Sequence, residues 1–245
     1  MVSRSIRLAA TAMAVIVAGN VTAARAEEPQ RSPCTEDAML VFDASGSMAG
    51  NGWGYGSESA NTVSRIDKVR SALAKVLPSV TRVRHVGLIT YGPGPYNQCN
   101  VRLDLAPMEN AADIILRTVR ALVPAGKTPL ASAVAQAADV LDFRAKPGLI
   151  VALTDGEETC GGSPCDLGKQ LHAAAKQLTV HVIGLRVKGL SWMGEQSILD
   201  AKCLADQNGG LYVTAGTEEE LIEALEKTLG CPMVTQRALP DGSPR

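Results

Sequence analysis

The sequence predicts an α/β fold, a mostly parallel sheet covered by helices, and three observations carry that prediction. Apolar runs of strand length alternate with amphipathic stretches of helix length from residue 38 to residue 229. The runs are rich in Val, Ile and Leu, as strands buried on both faces require. One link, Gly92-Pro93-Gly94-Pro95, leads from one strand-like run toward the next with no helix between them, so that pair must run antiparallel.

In chain order, Ala38–Phe42 reads as the first strand and Arg65–Leu77 as the first helix, with apolar residues at three- and four-residue spacing. His85–Tyr91 and Val101–Leu105 are the antiparallel pair, and Ala111–Leu122 and Leu130–Leu141 are helical. Leu149–Thr154, Leu178–Val187 and Leu211–Thr214 are further strands, with the helix Leu167–Gln177 between the first two. Thr217–Leu229 is the last helix, and Glu220 three residues after Thr217 predicts a capping box. The repeat of strand and helix is what makes the sheet parallel.

The ends of the chain have different compositions. Arg4 and Arg7 precede an apolar run from Leu8 to Ala23, and Ala24-Arg25-Ala26 has the small-x-small pattern of a cleavage site, so residues 1–26 read as a signal peptide. Gly19 and Asn20 interrupt the run, which falls short of the ~20 apolar residues of a membrane span. Residues 27–35 form a lead-in, 36–231 the domain, and 232–245, with three prolines and little periodicity, a disordered tail. The expected product is a secreted, periplasmic chain with no membrane span. Without its leader it loses three arginines and no acid, leaving 21 basic against 25 acidic side chains, a net −4. Nucleic acid is thereby excluded as a partner, because phosphate binding needs a clustered positive face.

The chemistry lies at strand ends. Ala38–Phe42 runs into Asp43-Ala44-Ser45-Gly46-Ser47, and Leu149–Thr154 into Asp155-Gly156, which brings two carboxylates and two hydroxyls to the carboxyl edge of the sheet. Gly126-Lys127-Thr128-Pro129 adds a third hydroxyl, with Thr128 expected to cap a helix that has Pro129 at its first position. All five groups are oxygen ligands, which suits a hard cation. So small a set favours Mg²⁺, with Mn²⁺ and Ca²⁺ as the alternatives. Two carboxylates leave a dication close to neutral, so an open coordination position would attract a carboxylate from outside.

The combination of D-x-S-x-S, a distant Thr and T-D-G on a later strand resembles the metal-ion-dependent adhesion site of the von Willebrand factor A family over roughly residues 36–230. That resemblance implies a Rossmann-like sheet of six strands in the order 3-2-1-4-5-6, the third antiparallel. It also implies that Ser45, Ser47 and Thr128 touch the metal directly, while Asp43 and Asp155 act mainly through bound waters. Within the family the chain is most similar to bacterial exported members that share GLITYG, GKTPL and DGEETCGGSPC as they stand here. It departs from compact members in the loop Ala49–Ser64, where Trp53 and Tyr55 are candidate partner contacts in a chain of only 3% aromatic residues. Glu157, next to the metal loop, is a candidate for selecting ligands. Met48 reads as a core plug. His85, His172 and His181 are dispersed and read as structural or solvated.

Six cysteines with no C-x-x-C spacing predict disulfides in an exported chain. Cys160 and Cys165, five positions apart in a Gly/Ser/Pro loop, are expected to close a small ring. Cys34 and Cys231 flank the domain and are expected to join its ends. Cys99 and Cys203 remain by arithmetic, as a third bridge or as buried thiols. The function expected is protein binding, not catalysis: a partner presents an Asp or Glu to the metal. The alternative is a Mg²⁺-dependent phosphohydrolase with Asp43 as nucleophile. Phosphatases with such an Asp use a second acid two residues on, where this chain has Ser45.

Overall fold

The computed structural model describes residues 36–50, 63–185 and 195–231. The expected leader, Cys34, Trp53, Tyr55 and the tail from residue 232 lie outside the described residues. Six strands, β1 (Asp37–Asp43), β2 (Val86–Tyr91), β3 (Val101–Met108), β4 (Pro147–Thr154), β5 (Gln177–Leu185) and β6 (Tyr212–Ala215), form one sheet in the order β3-β2-β1-β4-β5-β6. Only β3 is antiparallel to its neighbour, pairing with β2 across the short link. All other pairs are parallel.

The helices are α1 (Arg65–Val80), α2 (Ala112–Ala121), α3 (Leu130–Val140), α4 (Pro164–Ala174), α5 (Glu195–Gln207) and α6 (Glu218–Thr228). Strand alternation sorts β1 onto two cores, which is why it reads as an uninterrupted apolar run. Ala38, Leu40 and Phe42 pack with α1, α2 and α6. Met39 and Val41 pack on the other face with α3, α4 and α5. Each fully buried Leu, Ile or Val contributes about 1.5–3 kcal/mol, so the middle strands hold the sheet without help from the site. Met48 is fully buried in the first core, as expected.

Two elements differ from the sequence reading. α1 runs past Pro78 to Val80: Pro78 has no N–H to give the Ala74 carbonyl, but the last turn still closes beyond it, where Thr81 N–H reaches the Leu77 carbonyl at 3.0 Å. α5 has no counterpart among the amphipathic stretches. It meets the sheet through Ala201, Leu204 and Ala205 while Leu199 is 56% exposed, a contact stripe with one large residue that gives little apolar periodicity.

The cysteine pairing is corrected. Cys160 bonds Cys99, and Cys165 bonds Cys203. A helix start separates the two cysteines that were expected to pair. The Ser163 hydroxyl accepts from Asp166 N–H and caps α4, which begins at Pro164, so Cys165 sits inside the first helical turn. There it meets α5, which packs closely enough on α4 that Asn208 donates to the Gly168 carbonyl at 3.1 Å. Cys160 stays on the preceding loop and turns to the β2–β3 link. Cys99 and Cys203 are therefore bridged rather than free thiols. Cys231 is also disulfide-bonded.

Candidate metal centre

Asp43 ends β1 and is fully buried. Its Oδ1 accepts from Ser45 N–H at 2.8 Å, and its Oδ2 from the Thr154 hydroxyl at 3.3 Å and Asp155 N–H at 3.4 Å. The adjacent parallel strands β1 and β4 therefore tie their carboxyl ends together through one carboxylate. Ser45 and Ser47 share a hydrogen bond at 2.9 Å between hydroxyls, and Ser47 donates to Asp155 Oδ1 at 2.6 Å. A methyl group added at Gly156 would stand 3.6 Å from the Ser47 hydroxyl and 3.9 Å from that of Thr128, so both hydroxyls face the Asp155-Gly156 corner. The structure brings all five predicted residues to one edge.

Three loops approach one another closely enough to require glycine. Gly92 has φ +75°, and a Cβ there would lie 2.6 Å from Ser45 N and 2.8 Å from the Lys127 carbonyl. A Cβ on Gly126 would meet the Gly92 and Gln98 carbonyls at 2.9 Å each. Backbone hydrogen bonds close the same contacts: Gly46 N–H to Gly126 O at 3.0 Å, and Gly126 N–H to Gly92 O at 2.7 Å. Thr128 is thus placed by its neighbours' backbone.

The helix cap is a second correction. Pro129 occupies the N-cap of α3, and Thr128 makes no cap. Glu158 reaches across instead: its Oε2 accepts from Ala131 N–H and its Oε1 from Cys160 N–H, both at 2.8 Å. A carboxylate at that position meets both orphan N–H groups and the positive end of the helix. The Thr128 hydroxyl is left to the site.

Burial, then the charge of Asp155, pushes Asp43 up to about 7, and burial also raises Asp155. Arg65, the first residue of α1, offsets part of this charge by donating to Asp155 Oδ2 at 2.8 Å and to the Ser47 carbonyl at 2.7 Å. Arg65 pairs with Asp155, and Asp43 makes no ion pair among the described residues, so the charge balance of the two buried carboxylates admits a cation. No three of His, Cys, Asp and Glu gather as a metal cluster among the described residues. The donor set is two carboxylates and three hydroxyls, all oxygen, and it fits a hard cation.

Sequence reasoning missed Arg65 and Thr159, whose hydroxyl accepts from Thr128 N–H at 2.8 Å, and did not assign Thr154 and Glu158 the hydrogen bonds they make here. Thr154 stands within the T-D-G motif, and Glu158 and Thr159 follow it closely. Arg65 lies 90 residues from Asp155 with no spacing to announce it. Glu157 is exposed beside the site. His181 is held neutral, its pKa lowered to about 4 by burial and by Arg84, while its Nδ1 accepts from Leu211 N–H. This agrees with a structural role.

Residues 38–158 match the von Willebrand factor type A domain family. The uncharacterized protein YwmC of Bacillus subtilis is 28% identical over 210 residues, covering 81% of this chain and 84% of that protein. YwmD of the same organism is 27% identical, covering 77% and 82%. Among solved structures, a von Willebrand factor type A protein from Catenulispora acidiphila aligns with TM-score 0.58 at 16% identity, over 80% of this chain and 42% of that one. An aerotolerance-related membrane protein from Bacteroides fragilis aligns with TM-score 0.56 at 18% identity, over 79% and 98%. The pilus adhesin SpaC from Lactobacillus rhamnosus aligns with TM-score 0.59 at 18% identity, over 80% and 30%. At these identities the solved structures show the fold alone. Residues 38–158 are thus similar to the von Willebrand factor type A family, and the sheet order agrees with the fold of these solved structures.

Proposed function

We propose that this chain is a metal-dependent protein-binding module of the cell envelope, in which a Mg²⁺ ion at the ends of β1 and β4 engages an Asp or Glu of a partner protein. The observation that carries the reading is the hydrogen-bonded cluster of Asp43, Ser45, Ser47 and Asp155, with Thr128 at its corner. Ser45, Ser47 and Thr128 would hold the ion directly, and Asp43 and Asp155 would hold it through waters. Bound there, the ion supplies an acceptor for an outside carboxylate. Exposed Ser47 marks the side from which that carboxylate approaches.

Tyr96 and Val123, 73% and 74% exposed, stand on the two loops joined by the Pro93–Pro124 bridge and give the rim apolar contacts. Trp53 and Tyr55 are proposed to extend it, with Glu157 selecting among ligands. Two disulfides among the described residues suit an exported chain, and we place it in the periplasm. No described helix is long and apolar enough to cross a membrane. Against a phosphohydrolase stands Asp43 itself: it is fully buried with both oxygens accepting hydrogen bonds, a poor posture for a nucleophile.

Calorimetric titration of Mg²⁺ into the mature chain should show one site, and Asp43→Ala should abolish it while the far-ultraviolet circular dichroism stays that of a folded domain. Crosslinking in the native envelope should capture a protein that EDTA releases. Asp43→Ala binding Mg²⁺ with unchanged affinity would sink the reading. Asp43-dependent hydrolysis of a phosphate ester would replace it with the enzyme.

A further inference from the structure

The Cys99–Cys160 disulfide joins the two segments that hold Thr128 from either side. On one side Gln98, the residue before Cys99, accepts from Lys127 N–H at 3.0 Å. On the other Thr159, the residue before Cys160, exchanges two hydrogen bonds with Thr128. Thr159 N–H donates to the Thr128 carbonyl at 3.0 Å, and the Thr159 hydroxyl accepts from Thr128 N–H. Cys160 N–H is further fixed by Glu158, the carboxylate that caps α3. The bridge spans 61 residues and closes a ring around the loop that carries the third hydroxyl.

We propose that the Cys99–Cys160 disulfide is a positioning device for Thr128, holding its hydroxyl at the metal centre before the ion arrives. The inference rests on the metal-binding reading above. Without the bridge, the loop after β4 is tied to Thr128 only by its two hydrogen bonds with Thr159, and the β2–β3 link to the Thr128 loop only by those of Gln98 and Gly92, each worth about 1 kcal/mol net, and the hydroxyl samples other positions. Metal binding must then order the loop as well as capture the ion, which lowers affinity. The second bridge, Cys165–Cys203, joins α4 to α5 and touches none of the five site residues, so it serves as the control.

The test compares the full mature chain with the double variants Cys99→Ser/Cys160→Ser and Cys165→Ser/Cys203→Ser, and with Thr159→Val, which keeps every disulfide. Calorimetry with Mg²⁺ should show Kd raised about tenfold or more in the first variant, within the range of groups that orient metal ligands. Thr159→Val should weaken binding in the same direction, and the control should stay within about twofold. Hydrogen exchange in EDTA, which needs no metal, should quicken at Lys127 and Thr128 in the first variant and not in the control. Unchanged exchange at those amides, or equal loss of affinity in both double variants, overturns the proposal. Should the first variant fail to fold, Thr159→Val decides, and unchanged Mg²⁺ affinity there overturns it. A wild-type chain that binds no Mg²⁺ refutes the metal reading instead, and the exchange data then still decide whether the bridge holds Thr128.

Discussion

At the scale of the residue, Asp43 decides how the site responds to pH. Its carboxyl is raised to about 7 by burial and by Asp155, against 3.8 in the open chain. The folded state therefore keeps a proton that the unfolded state releases, so Asp43's contribution is fully present below 3.8 and is lost as pH rises through about 7. In EDTA, the wild type should lose stability relative to Asp43→Asn across that window. Mg²⁺ affinity of the wild type should rise across the same window, since the ion displaces the proton. Melts of both proteins from pH 4 to pH 8 check this, and parallel curves would show that Asp43 is ionised throughout. The residues of the motif were legible because strand ends announce themselves locally: Asp43, Ser45, Ser47 and Asp155 all follow apolar runs. Arg65 was not legible, because its partner is chosen by how α1 lies over the sheet edge and no local pattern encodes that.

At the scale of the element, α3 shows how one loop serves both stability and the site. Its start was expected to be capped by Thr128, which has the right residue type for the task. Glu158 takes the task from across the edge and accepts from Ala131 N–H. Glu158→Ala should lower the melting free energy by about 1 kcal/mol, the usual worth of a cap. Glu158→Gln, which keeps an acceptor and loses the charge, should recover part of it. Denaturant melts of the two variants read this directly, and a Glu158→Ala protein as stable as wild type would show that the cap contributes nothing. Strand and helix identities were legible because periodicity is a property of a segment, and the capping box of Thr217 and Glu220 because both partners lie within one turn, whereas the cap of α3 pairs residues from two different loops. α5 escaped because its buried side holds a single large residue, Leu204 between Ala201 and Ala205, while the neighbouring Leu199 is exposed, which blurs the period. The cysteine pairing escaped because Cys165 is separated from Cys160 by a helix start, not by a flexible ring.

At the scale of the whole molecule, the two cores lie on the faces of the sheet and the proposed metal centre lies at the carboxyl ends of its strands. Stability and binding are therefore separable, and metal should add to a fold that already stands. By linkage, Mg²⁺ at a hundred times its Kd stabilises the native state by about 2.7 kcal/mol. For a domain of this size each kcal/mol moves Tm by roughly 2–4 °C, so the wild type should melt about 5–10 °C higher in saturating Mg²⁺ than in EDTA. Asp43→Ala should melt at the same temperature in both, and in EDTA its Tm reports the balance between relieved carboxylate repulsion and the hydrogen bonds lost from Ser45 and Thr154. Calorimetric scans at a fixed pH separate these terms. A Mg²⁺-induced rise of equal size in wild type and Asp43→Ala would place the stabilising ion away from the ends of β1 and β4.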